Sequence, residues 1–395
     1  MTSFLRSLRA VKAVAAAGLG LLLCATAATP AAAATPASWE YEALGLAAAQ
    51  KIAQGQGVTV AVLDTGVEAD HPSVAGRVTT GPDFFHDGLQ SGDPRWGAHG
   101  TAMASDVLKV APQAKILSVR VLDERKDHTG LQKDNPVAKG INYAVDHGAN
   151  VISMSLGGDM FGDYDEDEAD ALARAAHKGI PVIASAGNEG DMFNDAQFPA
   201  GYAGVIAVAA AQKDGSRADF STVRTYNAVA APGVDIVSAK NTGGFTKSTG
   251  TSPAAALTSG VAALMLSHNH KLTPAQVRQV LTATAHHPAG GSNPLVGAGQ
   301  INAAAAVQAA ANPPADRTAP VQYTGKEHPA GTDGTPKTKH AKAPAEPKVI
   351  GYSLAGVGLL MVVSAVLIGV LARNRAQQDS TTAPQGPPSY TAPPR

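Results

Sequence analysis

The sequence predicts an α/β fold built on a mostly parallel β-sheet. Near-continuous apolar segments, typical of strands that are buried on both faces, recur along the chain. They lie at residues 57–64, 114–122, 150–156, 180–185 and 205–210. Two segments with the apolar spacing of helices, 136–147 and 166–178, lie between strands, and each is followed by a glycine. Strands that alternate with helices imply right-handed crossovers and therefore parallel neighbours.

Size and charge narrow the class of protein. The chain has 395 residues, of which 44% are hydrophobic, and this is enough for a sizeable core and about one to three domains. The formal net charge is −1. A nucleic-acid-binding domain usually carries a basic patch and a high pI, so we expect no nucleic-acid partner.

Residues 1–34 have the three-part layout of a secretory signal peptide. Arg6, Arg9 and Lys12 precede an uncharged Ala/Leu-rich segment, and the small residues 32–34 suit signal-peptidase cleavage. A permanent N-terminal anchor is the alternative, but the apolar segment is short and rich in alanine. The only cysteine, Cys24, lies inside this segment, and the bulky Leu23 before it argues against lipidation. Cleavage after Ala34 would leave no cysteine, which excludes disulfides, cysteine catalysis and thiolate metal sites.

The remaining chain divides by composition. Residues 35–56 form a short extension whose Trp39, Tyr41 and Leu44 are expected to pack on the main domain, which spans 57–311. Within that domain, Thr273, Pro274 and Gln276 combine an N-cap, a first-turn proline and a capping-box glutamine, and so predict a helix start.

The C-terminal part of the sequence predicts a membrane anchor. Residues 312–348 contain seven prolines, which predicts a disordered linker. Residues 349–372 carry no charge, which predicts a transmembrane helix, and the polar tail 373–395 is expected to be disordered. A buried core helix is the alternative, but nothing downstream could cover it. Basic residues flank the helix on both sides and do not decide its orientation. The signal peptide does: the main domain is exported and the tail faces the cytoplasm.

Ser252 is the candidate nucleophile. It lies in Gly250-Thr251-Ser252-Pro253, at the start of an apolar helical segment that runs to Leu266. The positive field of a helix N-terminus stabilises developing negative charge, and proline is tolerated in a first turn. An ordinary helix N-cap is the alternative interpretation, and a nucleophile also needs a base and an orienting acid.

Three further polar residues follow strands or begin helices. Asp64 ends the first apolar segment, His99 lies in His-Gly-Thr-Ala-Met-Ala, and Asn188 lies in Ser-Ala-Gly-Asn-Glu-Gly after another strand. Singly, such an aspartate can be a helix cap and such a histidine a core residue. Sites in parallel sheets form beyond the carboxyl ends of the strands, so these residues are expected to converge with Ser252.

The chain order Asp64, His99, Ser252 is the triad order of the subtilisin family. The segments around these residues and Asn188 resemble subtilase motifs, as do Met154–Gly158, Ala231-Pro232-Gly233 and Gly297-Ala298-Gly299. The resemblance covers roughly residues 57–308 and implies a three-layer subtilisin-like α/β fold. It departs from the family at Ala256, where proline is usual, and in having no long folding pro-domain.

The resemblance also implies roles for these residues. Ser252 Oγ would attack a peptide carbonyl, His99 would accept and return the proton, and Asp64 would hold the imidazole. Asn188 and the backbone N–H of Ser252 would bind the oxyanion. The segment Ser155-Leu156-Gly157 resembles the family's substrate-pairing strand.

The whole layout is most similar to the mycosins, the membrane-anchored subtilases of actinobacterial type VII secretion systems. The resemblance implies an extracytoplasmic serine endopeptidase of the cell membrane, acting on proteins or peptides and associated with a type VII secretion complex. A structural subunit of such a complex, with dispensable proteolysis, is the alternative, and a soluble degradative subtilase would require removal of 349–372. Mycosins commonly carry disulfides, which this mature chain would lack.

The remaining polar features suggest no further chemistry. The acidic residues 163 and 165–168 could bind calcium or select basic substrates, but more simply complement a helix N-terminus. His71 is interpreted as structural. His268, His270, His286 and His287 have no convincing metal spacing. No cofactor is expected for the chemistry; structural calcium is compatible with the sequence but cannot be assigned to residues.

Overall fold

The computed structural model describes residues 38–123, 135–157 and 164–316. The predicted signal peptide, most of the linker, the predicted transmembrane helix at 349–372 and the tail lie outside these residues. Among the helices of the described ranges, none is both long enough and apolar enough to cross a membrane.

The domain is organised around one parallel sheet. Its seven strands are β1 (Thr59–Asp64), β2 (Val78–Asp83), β3 (Lys115–Arg120), β4 (Val151–Met154), β5 (Val182–Ser185), β6 (Ile206–Ala211) and β7 (Asn227–Pro232). They are ordered β2-β3-β1-β4-β5-β6-β7, and every pairing is parallel. The predicted parallel α/β fold is therefore confirmed. An antiparallel hairpin, β8 (Ile236–Ala239) and β9 (Phe245–Ser248), lies outside this sheet.

Helices cover both faces of the sheet. They are α1 (Trp39–Ala43), α2 (Leu46–Ile52), α3 (Ala98–Val110), α4 (Pro136–Asp146), α5 (Glu166–His177), α6 (Thr251–His268), α7 (Pro274–Ala283) and α8 (Ala303–Ala309). Side chains alternate along β1: Val60 and Val62 join the apolar cluster under α3 and α6, whereas Ala61 and Leu63 join the cluster under α4 and α5. Because both faces of β1 are buried in this way, its sequence is almost continuously apolar.

Helix α6 is the central helix of the larger cluster. Its side chains from Pro253 to Leu266 are buried, so it packs on all sides rather than along one stripe. Ala256 is fully buried within it. The helix thereby fixes its own N-terminal turn, which carries Ser252, against the carboxyl edge of the sheet.

The N-terminal extension packs on the domain as predicted. Leu44 is buried in the larger cluster, and Trp39 and Tyr41 are half-buried against it. The Trp39 indole donates a hydrogen bond to the carbonyl of Val234 (2.9 Å). The predicted helix start at Thr273 is also confirmed, with both hydrogen bonds of the capping box formed.

Two of the predicted strands extend beyond the C-terminal ends of the strands observed. The prediction 114–122 continues beyond β3, but the N–H groups of Val121 and Leu122 both donate to the carbonyl of Asp64 and end the ladder. The prediction 150–156 continues beyond β4, which ends at Met154. There the Leu156 carbonyl accepts from the Ser185 hydroxyl (3.0 Å) instead of from a strand N–H.

Candidate active site

Asp64 and His99 form the acid–imidazole pair of the candidate site. Asp64 is the last residue of β1 and is fully buried, and His99 is the second residue of α3. The Nδ1 atom of His99 lies 2.8 and 2.9 Å from the two carboxylate oxygens of Asp64. Because a carboxylate accepts hydrogen bonds, Nδ1 carries the ring proton and Nε2 is left as the basic nitrogen. The side chain of His99 is 32% exposed, so solvent or substrate can reach the ring.

The start of α3 is held tightly against the end of β1. The Thr65 N–H donates to Asp64 Oδ1 (2.7 Å), and the Thr65 hydroxyl accepts from the Gly100 N–H (3.0 Å). A Cβ atom at position 100 would overlap the carbonyl oxygen of Gly66. Glycine after the histidine therefore permits the close approach that brings His99 to Asp64.

Ser252 lies in the first turn of α6 but does not cap it. The N-cap residue is Gly250, and the helix has no side-chain cap. The Ser252 hydroxyl instead donates to the carbonyl of Ser155 (3.3 Å), and the Ser155 hydroxyl donates to the carbonyl of Ser252 (2.8 Å). The interpretation of Ser252 as an ordinary N-cap is therefore wrong, and its half-buried hydroxyl faces the segment that follows β4.

Asn188 lies beside Ser252 with its amide held in one orientation. Its Oδ1 atom accepts from the backbone N–H (2.8 Å) and the hydroxyl (2.9 Å) of Thr251. The Thr251 hydroxyl in turn accepts from the N–H of Gly187 (3.1 Å). With its oxygen turned toward α6, the exposed Asn188 side chain is left with the two N–H donors of Nδ2 to offer a ligand. The sequence did not single out Thr251 for this contact; a threonine directly before a candidate nucleophile was the available signal.

Ser155, Leu156 and Gly157 follow β4 without belonging to it. Ser155 and Leu156 are buried and Gly157 is exposed. Strands β1, β4 and β5 are neighbours in the sheet and run parallel. Their carboxyl ends therefore bring Asp64, Ser155 and Asn188 to one edge, where Ser252 also lies.

The other polar residues considered in the sequence make contacts within the fold. His71 is buried; its Nδ1 accepts from the Ser73 N–H (3.1 Å) and its Nε2 lies 3.0 Å from the carbonyl of Gly244. In the acidic segment, Asp165 caps α5 by accepting from the Glu168 N–H (2.9 Å). Burial raises the pKa of Glu168, although Asn135 donates to its carboxyl group. Asp163 lies outside the described residues, and the ranges that are described contain no group of three potential metal ligands.

A parallel α/β fold with a histidine–carboxylate pair and a serine at a helix start is the architecture of a serine hydrolase. The subtilase family profile (Peptidase_S8) matches residues 55–313. The chain belongs to the subtilase family and is a subtilisin-like serine endopeptidase.

Individual proteins are also similar to this chain. Thermitase of Thermoactinomyces vulgaris is 36% identical over 265 residues, which cover 65% of this chain and 91% of thermitase. MycP1 from Mycobacterium smegmatis is 29% identical, with a TM-score of 0.58 over 68% of this chain and 84% of its own. MycP3, a protease from the type VII (ESX-3) secretion system, is 28% identical, with a TM-score of 0.58 over 69% of this chain and 88% of its own.

Proposed function

We propose that this subtilase hydrolyses peptide bonds through an acyl-enzyme on Ser252, with His99 as general base and acid and Asp64 as its orienting carboxylate. The observation that carries the proposal is the contact of both Asp64 oxygens with His99 Nδ1. That contact fixes the tautomer whose Nε2 can accept the proton of a serine hydroxyl.

The proposed reaction has two halves. In the first, Ser252 Oγ attacks the peptide carbonyl carbon while its proton passes to His99 Nε2, and the buried Asp64 carboxylate stabilises the imidazolium. The C–N bond then breaks, and the leaving amine takes the proton from His99. In the second half, His99 deprotonates a water molecule that attacks the ester, and Ser252 regains its proton as the acid product leaves.

The negative oxygen of each tetrahedral intermediate needs donors that are already in place. We assign this role to Asn188 Nδ2 and to the backbone N–H of Ser252. The contacts of Asn188 Oδ1 with Thr251 support the assignment, because they hold the carboxamide in one orientation with Nδ2 as its donor group. Pro253 removes no donor, because the N–H required is that of Ser252 itself. Segment 155–157 is the proposed pairing edge for the substrate backbone.

The catalytic proposal is tested with the full-length protein in detergent. Wild type is expected to hydrolyse a casein or peptide substrate, and Ser252→Ala is expected to lose hydrolysis by at least about 10³-fold. Ser259→Ala is a matched control, since Ser259 is a buried serine elsewhere in α6. Wild-type rates in Ser252→Ala would overturn the assignment.

The location and pathway belong to the same proposal. We place the catalytic domain outside the cytoplasmic membrane, anchored by residues 349–372, with the tail in the cytoplasm, and we link it to type VII protein secretion. The likeness to MycP1 and MycP3 supports the pathway, and the apolar composition of 349–372 supports the anchor. Its substrates are proteins or peptides.

Two measurements test the proposed location and pathway. Membrane fractionation should recover the full chain with the membrane, and a chain ending at residue 316 should be soluble outside the cell. In a deletion strain, Ser252→Ala should fail to restore secretion. Restored secretion with the inactive variant would favour the alternative, a structural subunit whose proteolysis is dispensable.

A further inference from the structure

Arg120 is a buried cation at the end of β3, and it pairs in register with Asp64 across the parallel ladder of β3 and β1. Its Nη1 donates to Asp83 Oδ2 and to Asp87 Oδ1, both at 2.8 Å, and its Nη2 donates to Asp87 Oδ2 at 2.9 Å. Asp123 Oδ1 lies 3.9 Å from Nη2. The two-point contact with Asp87 fixes the plane of the guanidinium, because a carboxylate matches its fork of donors. Arg120 therefore holds a planar cation in one orientation.

Trp96 packs on this guanidinium. The centroid of its ring lies 5.6 Å from Cζ of Arg120, within the range of a cation–π contact, which is stronger when both groups are removed from water. The Trp96 side chain is buried, and its indole N–H donates to the carbonyl of Val67 (2.9 Å). A Cβ atom at Gly66 would lie 2.7 Å from the indole ring, so the ring fills the space that this glycine leaves open. Trp96 therefore contacts both Arg120 and the segment that follows Asp64.

Trp96 also leads directly into the helix that carries His99. Gly97 is the N-cap of α3, the helix has no side-chain cap, and His99 is two residues further on. The carbonyl of Trp96 accepts from the Asn241 side chain (2.9 Å), and the positive φ of Gly97 (64°) turns the chain into the helix. Because no capping side chain holds the first turn of α3, its position depends on the residues that pack beside it. The packing of Trp96 is therefore one of the contacts that set where His99 lies relative to Asp64.

We propose that Arg120 is a positioning residue of the proposed catalytic site: it holds Trp96, and Trp96 holds the start of α3 so that His99 stays in contact with Asp64. This inference rests on the proposed triad. Arg120 and Trp96 are both buried, so neither is placed to touch a substrate, and both act through His99. Loss of their contact lets the imidazole leave the geometry that proton transfer requires, which lowers kcat more than it changes KM.

The test measures kcat per active site in the full-length protein, with active sites counted by titration with a fluorophosphonate. Arg120→Met retains an unbranched side chain but neither the charge nor the planar group, and is expected to lower kcat at least about tenfold with KM little changed. Lys109→Met is the control, because it breaks a buried ion cluster at the far end of the same helix. It is expected to destabilise the fold but to leave kcat per active site within about twofold of wild type.

A double-mutant cycle tests the route through Trp96. Trp96→Phe retains an aromatic ring but loses the indole N–H that donates to Val67, and is expected to lower kcat on its own. If Arg120 acts through Trp96, the double variant loses no more kcat than the more impaired single variant, because the two residues share one contact. Where circular dichroism shows that Arg120→Met does not fold, Arg120→Lys replaces it. This variant retains the charge beside Asp83 and Asp87 but not the planar group, and the same loss and coupling are expected.

The outcomes distinguish this inference from the proposed function. A smaller fall in kcat at position 120, an equal fall in Lys109→Met, an unchanged kcat in Trp96→Phe, or losses that multiply in the double variant overturns the positioning role, while the catalytic assignment stands. A wild type that neither hydrolyses peptides nor reacts with the fluorophosphonate overturns the proposed catalytic site, and the positioning role with it.

Discussion

The carboxamide oxygen of Asn188 accepts two hydrogen bonds from Thr251, one from its backbone N–H at 2.8 Å and one from its hydroxyl at 2.9 Å. Thr251 directly precedes Ser252, so the helix that carries the proposed nucleophile also orients the proposed oxyanion donor. Preorganised donors are effective because they need no reorientation as charge develops. The relationship makes Thr251 a positioning residue in the proposed mechanism.

Removing the Thr251 hydroxyl should weaken this orientation. Thr251→Val retains the shape and the backbone N–H but loses the bond to Asn188 Oδ1 and the acceptor for the Gly187 N–H. We expect kcat to fall roughly tenfold with KM little changed, which is less than the 10²–10³ typical of losing an oxyanion donor outright. Thr251→Ser, which keeps the hydroxyl, should be close to wild type in steady-state peptide assays. Equal kcat values for valine and serine would contradict the role.

Asp64 should matter through the tautomer of His99. In Asp64→Asn the amide can donate to Nδ1 and so favour a proton on Nε2, the nitrogen that must act as base. We expect kcat to fall by about 10⁴ at neutral pH. The exposed Asp70, which lies six positions later, provides the control Asp70→Asn, expected to leave kcat within a factor of about two. Stopped assays at high enzyme concentration measure the kcat of both variants. A decrease in kcat of less than tenfold in Asp64→Asn would argue against the proposed triad.

The N-terminal extension is joined to the domain by a buried ion cluster. Lys109 Nζ lies 2.6 Å from Glu40 Oε1 and 3.2 Å from Asp106 Oδ1, and it donates to the carbonyl of Val237 at 2.6 Å. Burial by itself would lower the pKa of Lys109, but the charges of Asp106 and Glu40 raise it. The cluster therefore holds its lysine charged.

Removing this lysine should destabilise the domain strongly. Lys109→Met would leave Glu40 and Asp106 buried without their cation, so we expect a loss of about 3–5 kcal/mol in the free energy of unfolding. In the exposed pair Lys247–Asp235 (3.4 Å), Lys247→Met should cost no more than about 1 kcal/mol. Urea unfolding followed by circular dichroism compares the two. Similar losses in both variants would show that the buried cluster contributes little.

Asp106 also predicts a pH dependence of stability. Burial raises its pKa from 3.8 to about 6, against the opposing effect of Lys109. Between about pH 4 and pH 6 the folded protein therefore retains a proton that the unfolded chain has lost. The contribution of this group to the free energy of unfolding is greatest below about pH 4 and declines as pH rises through about 6.

The variant Asp106→Asn removes this titration. Its free energy of unfolding, measured in urea at several pH values, should fall less than that of wild type as the pH rises from 4 to 6. Asp219→Asn, a substitution at an exposed aspartate, is the control and should follow the wild-type profile. Parallel profiles for Asp106→Asn and wild type would contradict the assignment of the proton to Asp106.

The sequence predicted most of the buried strands of the sheet. β1, β3, β4, β5 and β6 were predicted because their residues are mostly apolar, and all of them except Thr59 and Lys115 are buried. β2 is only partly buried, and its Gly81 and Pro82 resemble a loop, so its place as an edge strand was not predicted. The hairpin of β8 and β9 was also missed, because its β9 strand, Phe245–Ser248, is short and mostly polar.

The residues of the candidate site were predictable where each of them lies in a short sequence motif. Asp64, His99, Asn188 and Ser252 each lie in a short recognisable motif at a strand or helix terminus. The orientation of Asn188 by Thr251 was not predicted, because it depends on how the segment after β5 packs against α6 in the folded chain.

The nucleophile is identified most directly by mapping the residue that a fluorophosphonate probe modifies. The full-length protein is labelled, digested and analysed by tandem mass spectrometry, with Ser252→Ala and Ser259→Ala processed in parallel. We expect one adduct, on Ser252, which is abolished in Ser252→Ala and retained in Ser259→Ala. An adduct on another residue, or full labelling of Ser252→Ala, would contradict the assignment of Ser252 as the nucleophile.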